Sequence, residues 1–450
     1  MPSPSRTSLT RRTFLKQLAA GVAVAPFVTR GLMARAQMAT GTIRHATFGA
    51  AGMAWADVQA IAKHPAVSVV AACDVDLNRT VEFRKKFPNA RIYQDFRELL
   101  DKERDLDTVN VSTPDHMHAT IGLAAMECGL HVYGQKPLTH DLYEARKMAL
   151  TAREKKLVTQ MGIQIHSGPE YRTAVKLVQS GAIGKVREVH TWSNKAWGEA
   201  GEQPQRVDAI PKDFNWNLWL GVCKERPFIG GGWYHPANWR KRLDFGTGTF
   251  GDMGCHIFDP VFNALALTAP ISVRSEGAAP NAHSWATDAI VHYVYPGTEF
   301  TAGATLPVTW YDGKQRPPED IQALVTGSKD GKADEKSKKL PDQGSIFIGT
   351  NGIMVLPHIG MPRLIGAEVK DMEIKKAVGA DHWLQFIDAA LGVGKTGANF
   401  DYAGPLSESV LLGSVASRFP QTTLQWDGPG LSFTNVAEAN DYVKRAYRTW

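Results

Sequence analysis

Asp252 and His256 stand four residues apart in the run GTGTFGDMGCHIFDP (246–260), the spacing of neighbours on one helix face. A carboxylate that orients an imidazole makes a general base able to take a proton near neutral pH. Asp259, three residues further, would share that face. The three together could also bind a metal, and Pro260 would kink the helix just beyond His256. A second chemical group is Lys136 in HVYGQKPL (131–138), kept out of helical geometry by Pro137. A lysine in a cleft can donate to a hydroxyl and stabilise a developing alkoxide, although a lysine before a helix is more often simply solvated.

The run FGAAGMA (48–54) approximates the G-x-G-x-x-G turn that brings backbone N–H groups to a pyrophosphate. Gly49 fills the first position, Ala51 and Ala54 the second and third. The Ala51 methyl stands where the pyrophosphate comes close, and Gly52 frees the adjacent backbone. Asp74 follows 25 residues after Gly49 and closes the next apolar run. A carboxylate there accepts from a ribose 2′-hydroxyl and repels a 2′-phosphate, which favours NAD. The nearby Arg79 could receive that phosphate, so NADP stays open. STPDHMH (112–118) reads as a loop beneath a cofactor, with Thr113, Pro114 and His118 facing it. Its His116-x-His118 pair has no further ligands at convincing spacing, so no metal site is expected.

These groups need elements to hold them. Ile43–Phe48, Val67–Cys73, Thr108–Ser112, His131–Tyr133 and Leu157–Met161 read as strands. Trp55–Lys63, Leu77–Lys86, His118–Cys128 and Leu138–Lys155 read as the helices between them. That alternation implies a doubly wound parallel sheet, placing Gly49, Asp74, Thr113 and Lys136 at strand ends that face one crevice. Beyond Gly184 the pattern changes. Val186–Asn194, Ile271–Gly277, Ala289–Tyr295, Phe300–Leu306 and Ser345–Val355 suggest a chiefly antiparallel sheet, interrupted by an aromatic insertion over 197–245. Gly331–Lys339 is a charged loop, helical pattern resumes at His382, and Asn440–Tyr447 reads as a terminal helix.

At 450 residues the chain exceeds one ordinary core. Its net charge of +6 does not indicate nucleic acid. Residues 1–36 hold Arg6, Arg11, Arg12, Lys16, Arg30 and Arg35 and no acid, leaving 45 basic against 45 acidic residues in the remainder. TRRTFLK (10–16), a short apolar run and Ala34-Arg35-Ala36 form a twin-arginine signal with a small-residue cleavage site. The expectation is periplasmic export by the twin-arginine machinery, with no membrane anchor after processing. Four scattered cysteines suggest neither a zinc ribbon nor a disulfide scaffold.

Together FGAAGMA, ACDVD, STPDHMH, HVYGQKPLTHDLYEARKM, SGAIGKVREV and FGTGTFGDMGCHIFD resemble, in order, the glucose–fructose oxidoreductase / inositol dehydrogenase family, Gfo/Idh/MocA. The resemblance implies a Rossmann domain over 37–165 and a second domain over 166–450, an open-faced, mainly antiparallel sheet with helices on one side. It also implies homo-oligomers assembled through that sheet. It makes Lys136, Asp252 and His256 catalytic, with Gly49, Ala51, Gly52, Met53, Asp74, Thr113, Pro114, His118, Gln135 and Lys136 on the cofactor. Gln135 departs from the family's Glu-Lys-Pro motif, removing a charge beside the lysine.

Gln164, His166, Trp192, Tyr234, Trp239 and Arg240 are the expected contacts to a carbohydrate, whose apolar ring faces suit aromatic side chains. The expected activity is transfer of a hydride from a sugar or polyol hydroxyl to a tightly bound nicotinamide cofactor. Two alternatives remain: glycoside cleavage by oxidation, elimination, hydration and reduction, and a non-catalytic sugar or dinucleotide sensor.

Overall fold

The computed structural model describes residues 41–326, 339–369 and 371–450. The twin-arginine segment, and all of Gly331–Lys339 but its last residue, lie outside the described residues.

The first half follows β1 (Ile43–Phe48), α1 (Met53–Ile61), β2 (Val67–Cys73), α2 (Val81–Lys86), β3 (Arg91–Tyr93), α3 (Phe96–Lys102), β4 (Thr108–Val111), α4 (His118–Glu127), β5 (His131–Gly134), α5 (Leu142–Lys155) and β6 (Thr159–Met161). The six strands are parallel in the order β3-β2-β1-β4-β5-β6. Order reverses between β1 and β4, so the loops after Phe48 and Val111 diverge and open a crevice. The strand β3 has only three residues, too short for periodicity to reveal. The helix expected from Leu138 starts at Leu142 instead. Asp141 caps it, its Oδ1 accepting from Glu144 N at 2.8 Å while Glu144 Oε2 accepts from Asp141 N at 3.3 Å.

The second half contains α6 (Pro169–Gln179), β7 (Val186–Ser193), α7 (Trp216–Leu220), α8 (Cys255–Ala264), β8 (Ser272–Glu276), β9 (Ile290–Pro296), β10 (Thr305–Asp312) and α9 (Glu319–Thr326). It continues through β11 (Gln343–Gly349), β12 (Ile353–Pro357), β13 (Arg363–Ile365), α10 (His382–Ala390), α11 (Phe400–Ala416), β14 (Thr423–Asp427) and β15 (Ser432–Phe433). Nine strands form one sheet, β13-β12-β11-β7-β10-β9-β8-β14-β15, antiparallel except for the β7–β10 pair. Helices α8 and α11 pack on one face. On the other, Trp192, Tyr311, Val325, Ile346 and Val355 form a separate apolar cluster that includes α9.

Three expectations change here. The strand expected over 300–306 lies at Thr305–Asp312, and Phe300 belongs to the preceding turn. The single run Ser345–Val355 is a hairpin turning at 350–352. The terminal helix is a short 3-10 turn, Ala437–Tyr442, followed by an extended segment along the seam between the halves. That segment is held there by tertiary bonds, among them Arg445 N to Asp141 Oδ2 at 3.1 Å and Arg448 Nε to Gly221 O at 2.8 Å.

Helix α11 returns to the first half and packs against α5. Arg146 on α5 grips the buried Glu408 through two hydrogen bonds of 2.7 Å. Among the described residues no helix is long and apolar enough to cross a membrane.

Candidate active site

A cleft of about 570 Å³ runs from the β1–α1 turn to α8. At one end Gly49 has φ +96°, and a Cβ there would stand 2.8 Å from Ala54 Cβ and 2.9 Å from Ser112 O. Only glycine fits between α1 and the β4 loop. Ala51, Gly52 and Met53 line the same wall, and a Cβ added at Gly52 would meet nothing nearer than Arg79 at 3.9 Å. The loop backbone is therefore open to the cleft, as a pyrophosphate requires.

Asp74 also lines this end. Its Oδ2 accepts from Ala50 N at 2.9 Å and its Oδ1 from Asp76 N at 3.0 Å, so it braces the turn as well as facing the cleft. Burial raises its carboxyl pKa despite these bonds. Phe96 and Trp450 complete the rim. Arg97 holds Trp450 by a 3.0 Å bond to its carbonyl, with the guanidinium 4.4 Å from the indole centroid.

At the other end, Lys136 Nζ donates to Asp252 Oδ1 at 2.7 Å and to Asp252 O at 2.6 Å. Asp252 Oδ2 accepts from Trp197 Nε1 at 2.8 Å, and Arg240 Nε lies 3.4 Å from Oδ1. Burial works against the Asp252 charge, but Lys136 and Arg240 outweigh it and hold the carboxyl well below the usual range. The close approach of the two domains depends on Gly251, where a Cβ would overlap Thr247 and lie 3.3 Å from Pro137. Asp115 locks the same junction from the first half, accepting from Thr247 N at 3.1 Å and Thr247 Oγ1 at 2.7 Å.

Asp252 sits in a π turn, Phe250–Gly254, that precedes α8. This turn adds a residue to the α-helical spacing. Asp252 and His256 both reach the cleft, while Asp259 lies outside it, accepting from His166 Nδ1 at 3.0 Å and from the hydroxyls of Tyr171 and Tyr402. His256 is buried, and desolvation, the Lys136 cation and His358 together hold its imidazole well below the usual value. It is a neutral base facing an ion pair. His358, at the end of β12, stands 5.3 Å from it between ring centroids, across a cavity of about 70 Å³. Burial lowers the His358 pKa to about 4, and Nδ1 of both rings is buried without a partner.

All ten residues expected on the cofactor line the cleft, as do Lys136, Asp252 and His256. Of the six expected on the substrate, Gln164, Trp239 and Arg240 line it, with the Arg240 guanidinium 4.3 Å from the Trp239 centroid. The other three need correction. Trp192 faces the opposite side of the sheet, fully buried, with Nε1 donating to Pro341 O at 2.7 Å. Tyr234 is buried among Trp216, Trp219 and Phe245 inside the insertion. His166 is taken up by Asp259. His116 and His118 hold loops together, bonding Trp219 O, Pro137 O and Thr113 O at 2.7–2.8 Å. Among the described residues no group of three or more His, Cys, Asp or Glu is placed to hold a metal.

Asp57 and His358 went unnoticed in the sequence. Asp57, on α1, accepts from Gln135 Nε2 at 2.9 Å, Ser112 Oγ at 2.8 Å and Trp383 Nε1 at 2.9 Å. Only a tertiary fold could show this, since Trp383 is 326 residues away.

A parallel sheet with an open glycine turn, joined across a cleft to a lysine–aspartate–histidine group, is the layout of a Rossmann-type chain whose second domain faces the dinucleotide crevice. Residues 43–163 match the family described as "Oxidoreductase family, NAD-binding Rossmann fold", and 168–331 match "Oxidoreductase family, C-terminal alpha/beta domain", together more than half of the chain. The protein belongs to this GFO/IDH/MocA family.

Levoglucosan dehydrogenase of Pseudarthrobacter phenanthrenivorans is 26% identical over 43% of this chain and 41% of its own length. The NADP-dependent scyllo-inositol 2-dehydrogenase of Bacillus subtilis is 23% identical over 45% of this chain and 47% of its own. The chain thus spans less than half the length of these curated relatives. Among solved structures, the WlbA dehydrogenase of Chromobacterium violaceum in complex with NADH and UDP-GlcNAcA has a TM-score of 0.59 at 16% identity, covering 86% of this chain and 96% of that one. A levoglucosan dehydrogenase complex with NADH gives 0.54 at 15%, covering 85% and 99%. These similarities establish the fold.

Proposed function

We propose that the protein is an exported, NAD-dependent oxidoreductase that oxidises a hydroxyl of a sugar or polyol. The observation that carries this is the convergence of Lys136, Asp252 and His256 on the cleft that also holds the open glycine turn. The residues that would hold NAD are Gly49, Ala51, Gly52, Met53, Asp74, Thr113, Pro114, His118 and Gln135, with Lys136 at the reacting end. Bound NAD supplies the hydride acceptor. Neutral His256 takes the hydroxyl proton, Lys136 stabilises the alkoxide as it forms, and Asp252 holds Lys136 in place. Trp239 and Arg240 offer an apolar face and donors suited to a sugar ring.

The test is NADH formation with a panel of sugars and polyols, by wild type and by Lys136→Met and His256→Ala. Activity lost in both variants while NADH binding persists supports the reading. Unchanged turnover in either variant would remove that residue from the mechanism, and a wild type that binds NAD and sugar without turnover would support the sensor.

One observation favours a second reading. Simple oxidation needs one base, and the His256–His358 pair offers two neutral imidazoles. After oxidation, a second base could remove the proton beside the new carbonyl, expel the glycosidic oxygen as an alcohol, and guide water onto the resulting enone before hydride returns. The sum is glycoside plus water giving sugar plus alcohol. Release of aglycone without net NADH would distinguish it. Export is proposed from the twin-arginine segment, with cell fractionation as its test, and self-association through the open sheet face, with sedimentation as its test.

A further inference from the structure

A line of buried polar side chains leads from the interior of the parallel sheet to the cleft, and its hydrogens all point the same way. Asn110 Oδ1 accepts from His45 Nε2 at 2.9 Å, and the Thr108 hydroxyl meets His45 Nδ1 at 2.8 Å. Burial lowers the His45 pKa to about 4, so the ring carries one proton, at Nε2, and Nδ1 accepts from Thr108. Asn110 Nδ2 then donates to Ser112 Oγ at 2.9 Å, and Ser112 Oγ donates to Asp57 Oδ2. Gln135 and Trp383 donate to the same carboxylate.

Three donors converge on Asp57, two at Oδ2 and one at Oδ1, an arrangement that favours the anion, whose two oxygens only accept. Burial lifts its carboxyl pKa to about 6, opposed by those three bonds. Gln135 is fixed from both sides, because its Nε2 faces Asp57 and its Oε1 accepts from Lys136 N at 3.1 Å. A glutamate at 135 would set two carboxylates at the 2.9 Å of the present bond, where both cannot ionise.

We infer that Asp57 is a positioning residue that carries the negative charge behind the Lys136 end of the cleft and thereby requires an amide at residue 135. Asp57 and Gln135 work as one unit, in which the carboxylate orients the amide that the cofactor meets. This rests on the reading of the cleft as a dinucleotide site. It turns the apparent loss of charge at Gln135 into a relocation by one hydrogen bond.

The test is a double-mutant cycle read by NADH affinity and by thermal unfolding, with Asp57→Asn, Gln135→Glu and the combined exchange. The expected result is that Gln135→Glu weakens NADH binding roughly tenfold or lowers the unfolding temperature, and that adding Asp57→Asn recovers most of that loss. A Gln135→Glu chain that folds only in the double variant shows the same coupling. Single effects that simply add in both readouts, or a Gln135→Glu protein indistinguishable from wild type, would overturn the assignment. A wild type that does not bind NADH would overturn the dinucleotide reading, and this inference with it.

Discussion

The two ends of the cleft are built on different plans. At the glycine end the working groups are backbone N–H donors and small residues, all from short strand–loop units of one sheet, and Asp74 spends both oxygens bracing the turn. At the Lys136 end they are charged side chains from both domains. Lys136 meets Asp252 across 116 residues, and Trp197 and Arg240 close around the pair from the insertion. Binding needs a shape that local sequence can make. Proton transfer needs charges held against one another in a desolvated place, and that takes tertiary structure.

The largest break in this contrast should come from the charged end. Replacing Lys136 by Met or His256 by Ala is expected to cut kcat by about 10²–10⁴ while leaving NADH affinity within a few fold. Stopped turnover with unimpaired titration of NADH is the check. Asp252→Asn removes the anion that pairs with Lys136 and should cost kcat about tenfold to a hundredfold, with less effect on NADH binding.

The next effects belong to the glycine end. Asp74→Ala should weaken NAD by about tenfold and raise the NADP-to-NAD affinity ratio, since Arg79 remains to meet a 2′-phosphate. Trp450→Ala should weaken NADH severalfold yet leave nicotinamide mononucleotide unchanged, because Trp450 lies on the rim with Phe96 and Asp74, away from Lys136. Equal weakening of both ligands would contradict that placement.

A smaller effect concerns pH. A histidine whose pKa is depressed stays a neutral base until the pH falls through its lowered value. The acid limb of kcat/KM should therefore lie below the ordinary imidazole value of 6.5. An acid limb at or above 6.5 would place a different group in the role of base.

What was legible in the sequence follows the same division. Gly49, Asp74, Thr113 and Lys136 sit at the ends of strands recognisable from short apolar runs, so the crevice could be assembled on paper. Asp252 and His256 were found by their spacing, but the π turn that aims them was not. Trp192, Tyr234 and His166 were chosen by residue type, and type does not reveal which face of a sheet or which side of a helix a side chain occupies. Trp192 lies one strand position away from the inner face, enough to put it in the wrong layer. Asp57 falls inside the expected helix Trp55–Lys63 with nothing in the sequence to mark it, because its partners Gln135 and Trp383 are 78 and 326 residues distant. His358 was hidden by a hairpin read as a single strand, and Trp450 by an expected helix that tertiary bonds pull into an extended segment.

The most direct test of the account is to denature the purified, extensively dialysed protein, identify any released dinucleotide by mass, and titrate the dialysed protein with NADH. The account predicts that the chain carries or takes up one NAD(H) per cleft. A folded protein that neither releases a dinucleotide nor binds added NADH would mean that the Ala51 methyl closes the glycine turn to the pyrophosphate, and the cleft would have to serve another ligand.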